Sequence, residues 1–173
     1  LLLTMVVSII LGMGLPTSAC YIISASIAVP ILTQMDVAPF QAHFFVMYFA
    51  ILSTVTPPVA LSAYVGAGMA GANPNQVGKI AFRLAIAGFI VPFFFIYSPE
   101  MLLMSDSSLA IVWSAITALA GTFLLAVAAE GYITIHLSII VRLLFLASAL
   151  TLIAPGAYSD VIGVGLVGLS LLS

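Results

Sequence analysis

The chain has 173 residues, of which 64% are hydrophobic and 5% charged, with three Lys/Arg against five Asp/Glu and a formal net charge of −2. A soluble domain is roughly half apolar and about a quarter charged, so this composition specifies an integral membrane protein. The small net charge points to neither nucleic acid nor a polybasic lipid-binding patch, and the single Cys20 excludes an internal disulfide and a cysteine metal cluster.

The apolar runs are long and continuous, without alternation, and are interrupted by Gly and Pro. They read as helices rather than barrel strands, which makes the chain all-α. It opens on Leu1 inside an apolar run, with no initiator Met, basic segment or cleavage site, so a fragment starting within a larger protein is expected.

Residues 1–11 are apolar, 12–18 (Gly-Met-Gly-Leu-Pro-Thr-Ser) break the run, and 19–35 are apolar again. At 1.5 Å per residue the arms are about 17 and 25 Å long, each short of the roughly 30 Å hydrocarbon core, which suggests a re-entrant hairpin over 1–35. Pro16 frees the carbonyl of Gly12, the glycines allow close backbone approach, and Thr17 and Ser18 place hydroxyls beside a helix start. A plain Gly-Pro turn between two helices is the simpler reading of the same residues.

A polar turn with Pro39 leads into residues 41–72, about 48 Å if a single helix, too long for a simple crossing. Within it lies Thr54-Val55-Thr56-Pro57-Pro58-Val59-Ala60. The two prolines have no N–H, so the carbonyls of Ser53 and Thr54 are expected to lose their helical partners, and orphaned carbonyls in hydrocarbon cost several kcal/mol each. One helix is expected to stop here and a second to start, with Thr56 as its N-cap and the prolines in its first turn. Such half-helix junctions build ion and substrate sites in secondary transporters; a proline kink repaired by neighbouring helices is the other reading. Gly66 with Ala70, and Ala67 with Gly71, have the spacing of close helix packing, so this half is expected to lie against protein.

Asn73-Pro74-Asn75 is a turn, and a helix is expected over 79–98, with Lys79 and Arg83 on one face and a kink at Pro92 that releases Gly88. Residues 98–108 form a loop holding Glu100 and Asp106. Residues 109–129 are long enough to span, 133–154 make another span with Arg142 inside it, 155–160 close it, and 161–173 are apolar but too short to cross. About three further transmembrane helices thus follow the hairpin and the discontinuous helix, with a division between 1–103 and 104–173. The positive-inside rule places Lys79 and Arg83 in the cytoplasm and Glu100 and Asp106 outside, with Arg142 either snorkelling back to the cytoplasmic face or held in a buried ion pair.

Few residues carry chemistry. His43 and His136 read as interfacial or hydrogen-bonded, no paired carboxylates offer a proton relay, and Phe93-Phe94-Phe95 reads as lipid-facing bulk. An intramembrane hydrolase would need His43 as base for Ser53, Thr54 or Ser62, yet His43 and Ser53 stand about 15 Å apart along a helix. A channel whose filter is lined by freed carbonyls, or a structural subunit, is a further class.

The ordered set Gly12-Met13-Gly14-Leu15-Pro16-Thr17, Ala28-Val29-Pro30-Ile31-Leu32, Val37-Ala38-Pro39, Ala42-His43-Phe44-Phe45-Val46 and Thr56-Pro57-Pro58-Val59-Ala60 resembles the large permease subunit of TRAP transporters. It is closest to the DctM-like type fused to the small membrane subunit, which works with a TAXI-type periplasmic binding protein; Glu130-Gly131-Tyr132, Arg142 and Ala154-Pro155-Gly156 also look like that type's tail. The resemblance implies half of an elevator-type transporter in a bacterial or archaeal cytoplasmic (inner) membrane, with no enzymatic activity and no cofactor beyond a coupling sodium ion. It implies sodium-driven import of a small organic acid, with the periplasmic binding protein and the remainder of the permease as partners and membrane lipid around it. On that basis Gly12, Gly14, Thr17, Ser18, Ser53, Thr54 and Thr56 are expected to coordinate sodium, and the helix starts at Pro16, Thr17, Pro57 and Pro58 to face the substrate's carboxylate. Neither break contains Arg or Lys, so any cationic partner for the acid must come from elsewhere or from helix dipoles.

Overall fold

The computed structural model describes residues 1–133 and 136–172. They form an all-α membrane protein of α-helices and short 3₁₀ turns, with no strand among the described residues. Three helical segments, Thr17–Gln34, Pro74–Tyr97 and Ser108–Glu130, are long and apolar enough to cross a membrane. The chain divides into two compact units, Leu1–Ile96 and Tyr97–Ser173.

In the first unit, α1 (Leu2–Gly12) and α2 (Thr17–Gln34) pack together as a helical hairpin with Met13 to Pro16 as its tip, but α2, expected to fall short of a crossing, is long and apolar enough to make one. Helix α1 stops because Met13 turns extended and Gly14 adopts φ +81, a left-handed backbone that glycine takes without a steric penalty. Pro16 sits at the N-cap of α2, where its missing N–H costs nothing. The arms meet through small polar residues: Ser8 and Ser24 are both fully buried, and Ser24 Oγ donates to the Ser8 carbonyl at 3.5 Å.

Helix α3 (Pro39–Leu52) packs on both arms and supplies the centre of the core. Phe45, Val46 and Phe49 are fully buried there with Ile9, Val29 and Leu32. A 3₁₀ turn (Ser53–Val55) ends α3, and α4 (Leu61–Met69) follows after an irregular stretch. The buried stripe of α4 is Ala63 and Ala67, whereas Gly66 and Ala70 are exposed within this unit.

The helix expected over 79–98 begins earlier and is divided. Asn73 caps α5 (Pro74–Leu84), its side chain accepting the Asn75 and Gln76 N–H groups at 3.0 and 3.3 Å. The break lies at Ala85, where the polar face of α5 gives way to the wholly apolar α6 (Ile86–Tyr97) and Gly88 N–H bonds the Ala85 carbonyl three residues back at 2.8 Å. Pro92 is buried inside α6 and does not interrupt it. The expected lipid-facing role for Phe93 is also corrected, because its ring stands edge-on to Phe45 at 5.4 Å and packs against Phe49 at 5.8 Å, while Phe95 meets Tyr48. Gln41 ties the two helices together, its Nε2 donating to the Phe95 and Ile96 carbonyls in the last turn of α6 at 2.8 and 3.4 Å.

The second unit is a 3₁₀ turn (Pro99–Leu102) followed by α7 (Ser108–Glu130), α8 (Ile139–Ile153) and α9 (Ala157–Leu172). Gly121 lets α7 and α8 approach closely, since a Cβ there would lie 2.9 Å from the Ala149 carbonyl oxygen. Ser148 Oγ donates to the Gly163 carbonyl at 2.7 Å and fastens α9 to α8.

The span expected over 133–154 is shorter than read: α8 begins after the N-cap Ser138 and has 15 residues. Thr134 and Ile135, part of that expected span, lie outside the described residues. Arg142 therefore stands in the first turn of α8. It does not lie deep in a helix; its Nε and Nη2 donate to the Ala128 and Ala129 carbonyls at 2.9 and 3.0 Å, satisfying the open C-terminal end of α7. Asp160, expected in a loop, lies within α9.

Candidate functional site

The two breaks in the first unit are neighbours. Gly12, the last residue of α1, sits so close to α2 and the 3₁₀ turn that a Cβ there would overlap Cys20 Sγ and Ser53 Oγ and lie 2.8 Å from Ser53 Cβ. A Cβ on Gly14 would lie 3.7 Å from Val59 Cγ1. The hairpin tip thus abuts both ends of the proline-containing break.

This contact brings together two helix C-termini, those of α1 at Gly12 and α3 at Leu52. Each carries a partial negative charge on its last carbonyls, so their meeting point favours a cation. The N-terminus of α2 emerges from the same tip at Thr17 with no side-chain cap, leaving its first N–H groups as donors. Gly14, Pro16, Thr17 and Ser18 are exposed there.

The break itself is built from hydroxyls turned back on α3. Ser53 Oγ donates to the Ala50 carbonyl at 2.7 Å, Thr54 Oγ1 to Ile51 at 2.8 Å, and Thr56 Oγ1 to Leu52 at 2.7 Å. A hydroxyl has one proton and two lone pairs, so each of these oxygens, its proton committed, keeps accepting capacity for a positive ligand. The Thr54 carbonyl faces Pro57 and Pro58 at the three- and four-residue spacings, and neither carries an N–H.

Several expectations are corrected by this geometry. The Ser53 carbonyl is not bare, because the 3₁₀ turn supplies the Thr56 N–H at 3.3 Å, and the Gly12 carbonyl receives the Leu15 N–H at 3.4 Å. Thr56 is not the N-cap of the second half-helix. Pro57 and Pro58 do not lie in the first turn of that helix either: residues 56–60 close their own turn, with Ala60 N–H on the Thr56 carbonyl at 3.0 Å, and α4 starts at Leu61 behind Ala60 at φ 35. The Pro58 carbonyl takes the Tyr64 hydroxyl at 2.9 Å.

Cys20 and Tyr21 were not singled out by the sequence. Cys20 is fully buried, with Sγ 3.5 Å from the Ala50 carbonyl and 3.8 Å from Ser53 Oγ, and fills the wedge between tip and break. Its spacing of four from Ser24 and eight from Ala28, which line the same buried face of α2, is the one sequence signal of that position. Tyr21 Oη lies 2.8 Å from His43 Nδ1, so His43 is hydrogen-bonded, and its partner is not a serine. Ser53 Oγ donates to the Ala50 carbonyl and is not paired with His43.

The family described as "Tripartite ATP-independent periplasmic transporter, DctM component" matches residues 1–111, which contain the hairpin, the break and α6. No curated protein and no solved structure matches the chain.

Proposed function

The chain belongs to the DctM component family of tripartite ATP-independent periplasmic transporters, and from that premise we propose that it forms the ion- and substrate-binding half of a sodium-driven permease importing a small organic acid. The observation that carries the reading is the abutment of Gly12 on Ser53, where the C-termini of α1 and α3 meet beside the Ser53 hydroxyl. A dehydrated sodium ion there is coordinated by the Ser53, Thr54 and Thr56 hydroxyl oxygens and by backbone carbonyls of Gly12 and Thr54, with Gly14 giving the backbone room to approach. The exposed N-terminus of α2, with Thr17 and Ser18, offers N–H and O–H donors to the substrate's carboxylate, and the surfaces of Pro16, Pro57 and Pro58 border the same space.

In this reading the substrate is delivered by a periplasmic binding protein, of the TAXI type, and the chain works with the rest of a fused permease in the cytoplasmic membrane. Support comes from family membership; neither break carries Lys or Arg, so the positive charge for an acid comes from helix dipoles, a coupling ion or the rest of the permease. The test is uptake by the whole transporter in proteoliposomes carrying Thr17→Ala with Thr56→Ala. Sodium-dependent uptake should fall by at least about tenfold, the worth of one hydrogen bond to a charged group; unchanged uptake would reject the assignment.

A further inference from the structure

The second unit contains a cavity lined entirely by its own residues. A cavity of about 200 Å³ lies between the 3₁₀ turn, the first turns of α7 and the α8 to α9 corner, at the opposite end of α7 from the carbonyls held by Arg142. Its polar lining is Glu100, Ser114, Thr117 and Asp160, and no Lys or Arg is among its described lining residues. Asp160 is 7% exposed. One carboxylate oxygen accepts the Trp113 Nε1–H at 2.7 Å, and the other takes no hydrogen bond from any described residue. That oxygen is accessible rather than sealed, since Ser8 Oγ is the one buried side-chain oxygen without a partner among the described residues, and it stays open to a donor.

A second space of about 350 Å³ shares Trp113 and Asp160 with the first and is otherwise lined by Val161 and Val164. Val161 and Val164 are three apart on one face of α9 and largely exposed, and Trp113 is 56% exposed. Trp113 and Asp160 thus border both a negative, hydrogen-bond-accepting cavity and an apolar groove. That sequence of environments, anionic and then hydrocarbon, is complementary to an amphiphile with a cationic head.

We propose that Glu100, Trp113 and Asp160 bind a phospholipid with a primary ammonium headgroup, its ammonium in the cavity and an acyl chain along Trp113, Val161 and Val164. A primary ammonium has three donors. The free oxygen of Asp160, the Glu100 carboxylate and Thr117 Oγ1, whose own proton goes to the Ser114 carbonyl at 3.2 Å, supply three acceptors. The Trp113 ring adds a cation–π face. A quaternary choline head has no N–H to give, and an anionic glycerol head meets two carboxylates, so both bind less well. The site does not depend on the transport reading.

Trp113 is the one tryptophan in these 173 residues, and the part of the protein's fluorescence lost on Trp113→Phe reports on this site. Phosphatidylethanolamine, phosphatidylcholine and phosphatidylglycerol with the same brominated acyl chains are titrated onto the purified protein in detergent. Half-quenching by phosphatidylethanolamine should need at least about tenfold less lipid than by the other two, the scale of one charge-assisted hydrogen bond. Asp160→Asn, which keeps an acceptor for the indole, and Glu100→Gln, on the loop, should each erode that preference, and soluble ethanolamine should compete only at concentrations far above the lipid's. Equal quenching by the three lipids, a preference that survives both substitutions, or competition by ethanolamine at lipid-like concentrations would overturn the proposal.

Discussion

Gly12 and Ser53 are in such close contact that no side chain larger than hydrogen fits at position 12: a Cβ would overlap Ser53 Oγ and lie 2.8 Å from Ser53 Cβ. The relationship links a hairpin tip to the end of a different helix, and both segments end there because glycine and proline remove the means to continue.

Gly12→Ala should destabilise the protein by about 1–3 kcal/mol, the usual cost of overpacking, as a fall in thermal midpoint in detergent. The penalty should shrink when Ser53→Gly and Cys20→Ala are added, because those substitutions remove the atoms the new methyl meets. A penalty that stays the same in the relieved background would place its origin elsewhere.

Gln41 stands between α3 and the last carbonyls of α6, and its replacement separates two effects. Gln41→Leu should cost about 1–2 kcal/mol through the lost hydrogen bonds. Gln41→Glu should cost more, because an ionised carboxylate would face two carbonyl oxygens with no proton to offer. Equal midpoints for the two variants in thermal unfolding at neutral pH would contradict the capping role.

Arg142 closes α7 with two donors of one planar fork. Arg142→Lys should recover only part of the stability lost in Arg142→Ala, since an ammonium on a flexible stem does not reproduce the fork. Gly131→Ala should also be destabilising, by about 1 kcal/mol or more, because Gly131 has φ +70 and a Cβ would lie 2.9 Å from Arg142 Nε. Both are read by midpoint shifts, and a full rescue by Lys would argue that only charge matters.

The positions of the two breaks were legible in the sequence because they are made by local covalent facts: Pro16, Pro57 and Pro58 carry no N–H, and Gly14 tolerates φ +81. Where the second half resumed was not legible. Leu61 rather than Pro57 opens α4 because residues 56–60 close a turn of their own and the Tyr64 hydroxyl holds the Pro58 carbonyl, and that tertiary detail overrides proline's preference for a first helical turn. The burial of Phe93 was hidden for another reason. In a membrane helix both lipid and protein accept apolar side chains, so α6 carries no polar face to mark which side meets Phe45. Arg142 was placed too deep because the apolar run from Ile133 conceals the N-cap at Ser138.

The Ser53, Thr54 and Thr56 hydroxyls both bind back to α3 and, in the transport reading, face sodium. Thr56→Val, which keeps the shape and removes the oxygen, should raise the sodium concentration for half-maximal uptake by about tenfold and lower stability by about 1 kcal/mol through the bond lost to Leu52. A loss of stability with an unchanged sodium dependence would leave Thr56 a purely structural residue.

Sodium binding itself is the decisive measurement: equilibrium binding of radioactive sodium to the purified whole transporter, compared with the Thr54→Val, Thr56→Val double variant. The double variant should bind at least one sodium ion fewer per transporter, or show a half-saturation displaced by about tenfold or more, with its helices intact. The same stoichiometry and half-saturation in both proteins would contradict a cation held where the hairpin tip meets the proline break.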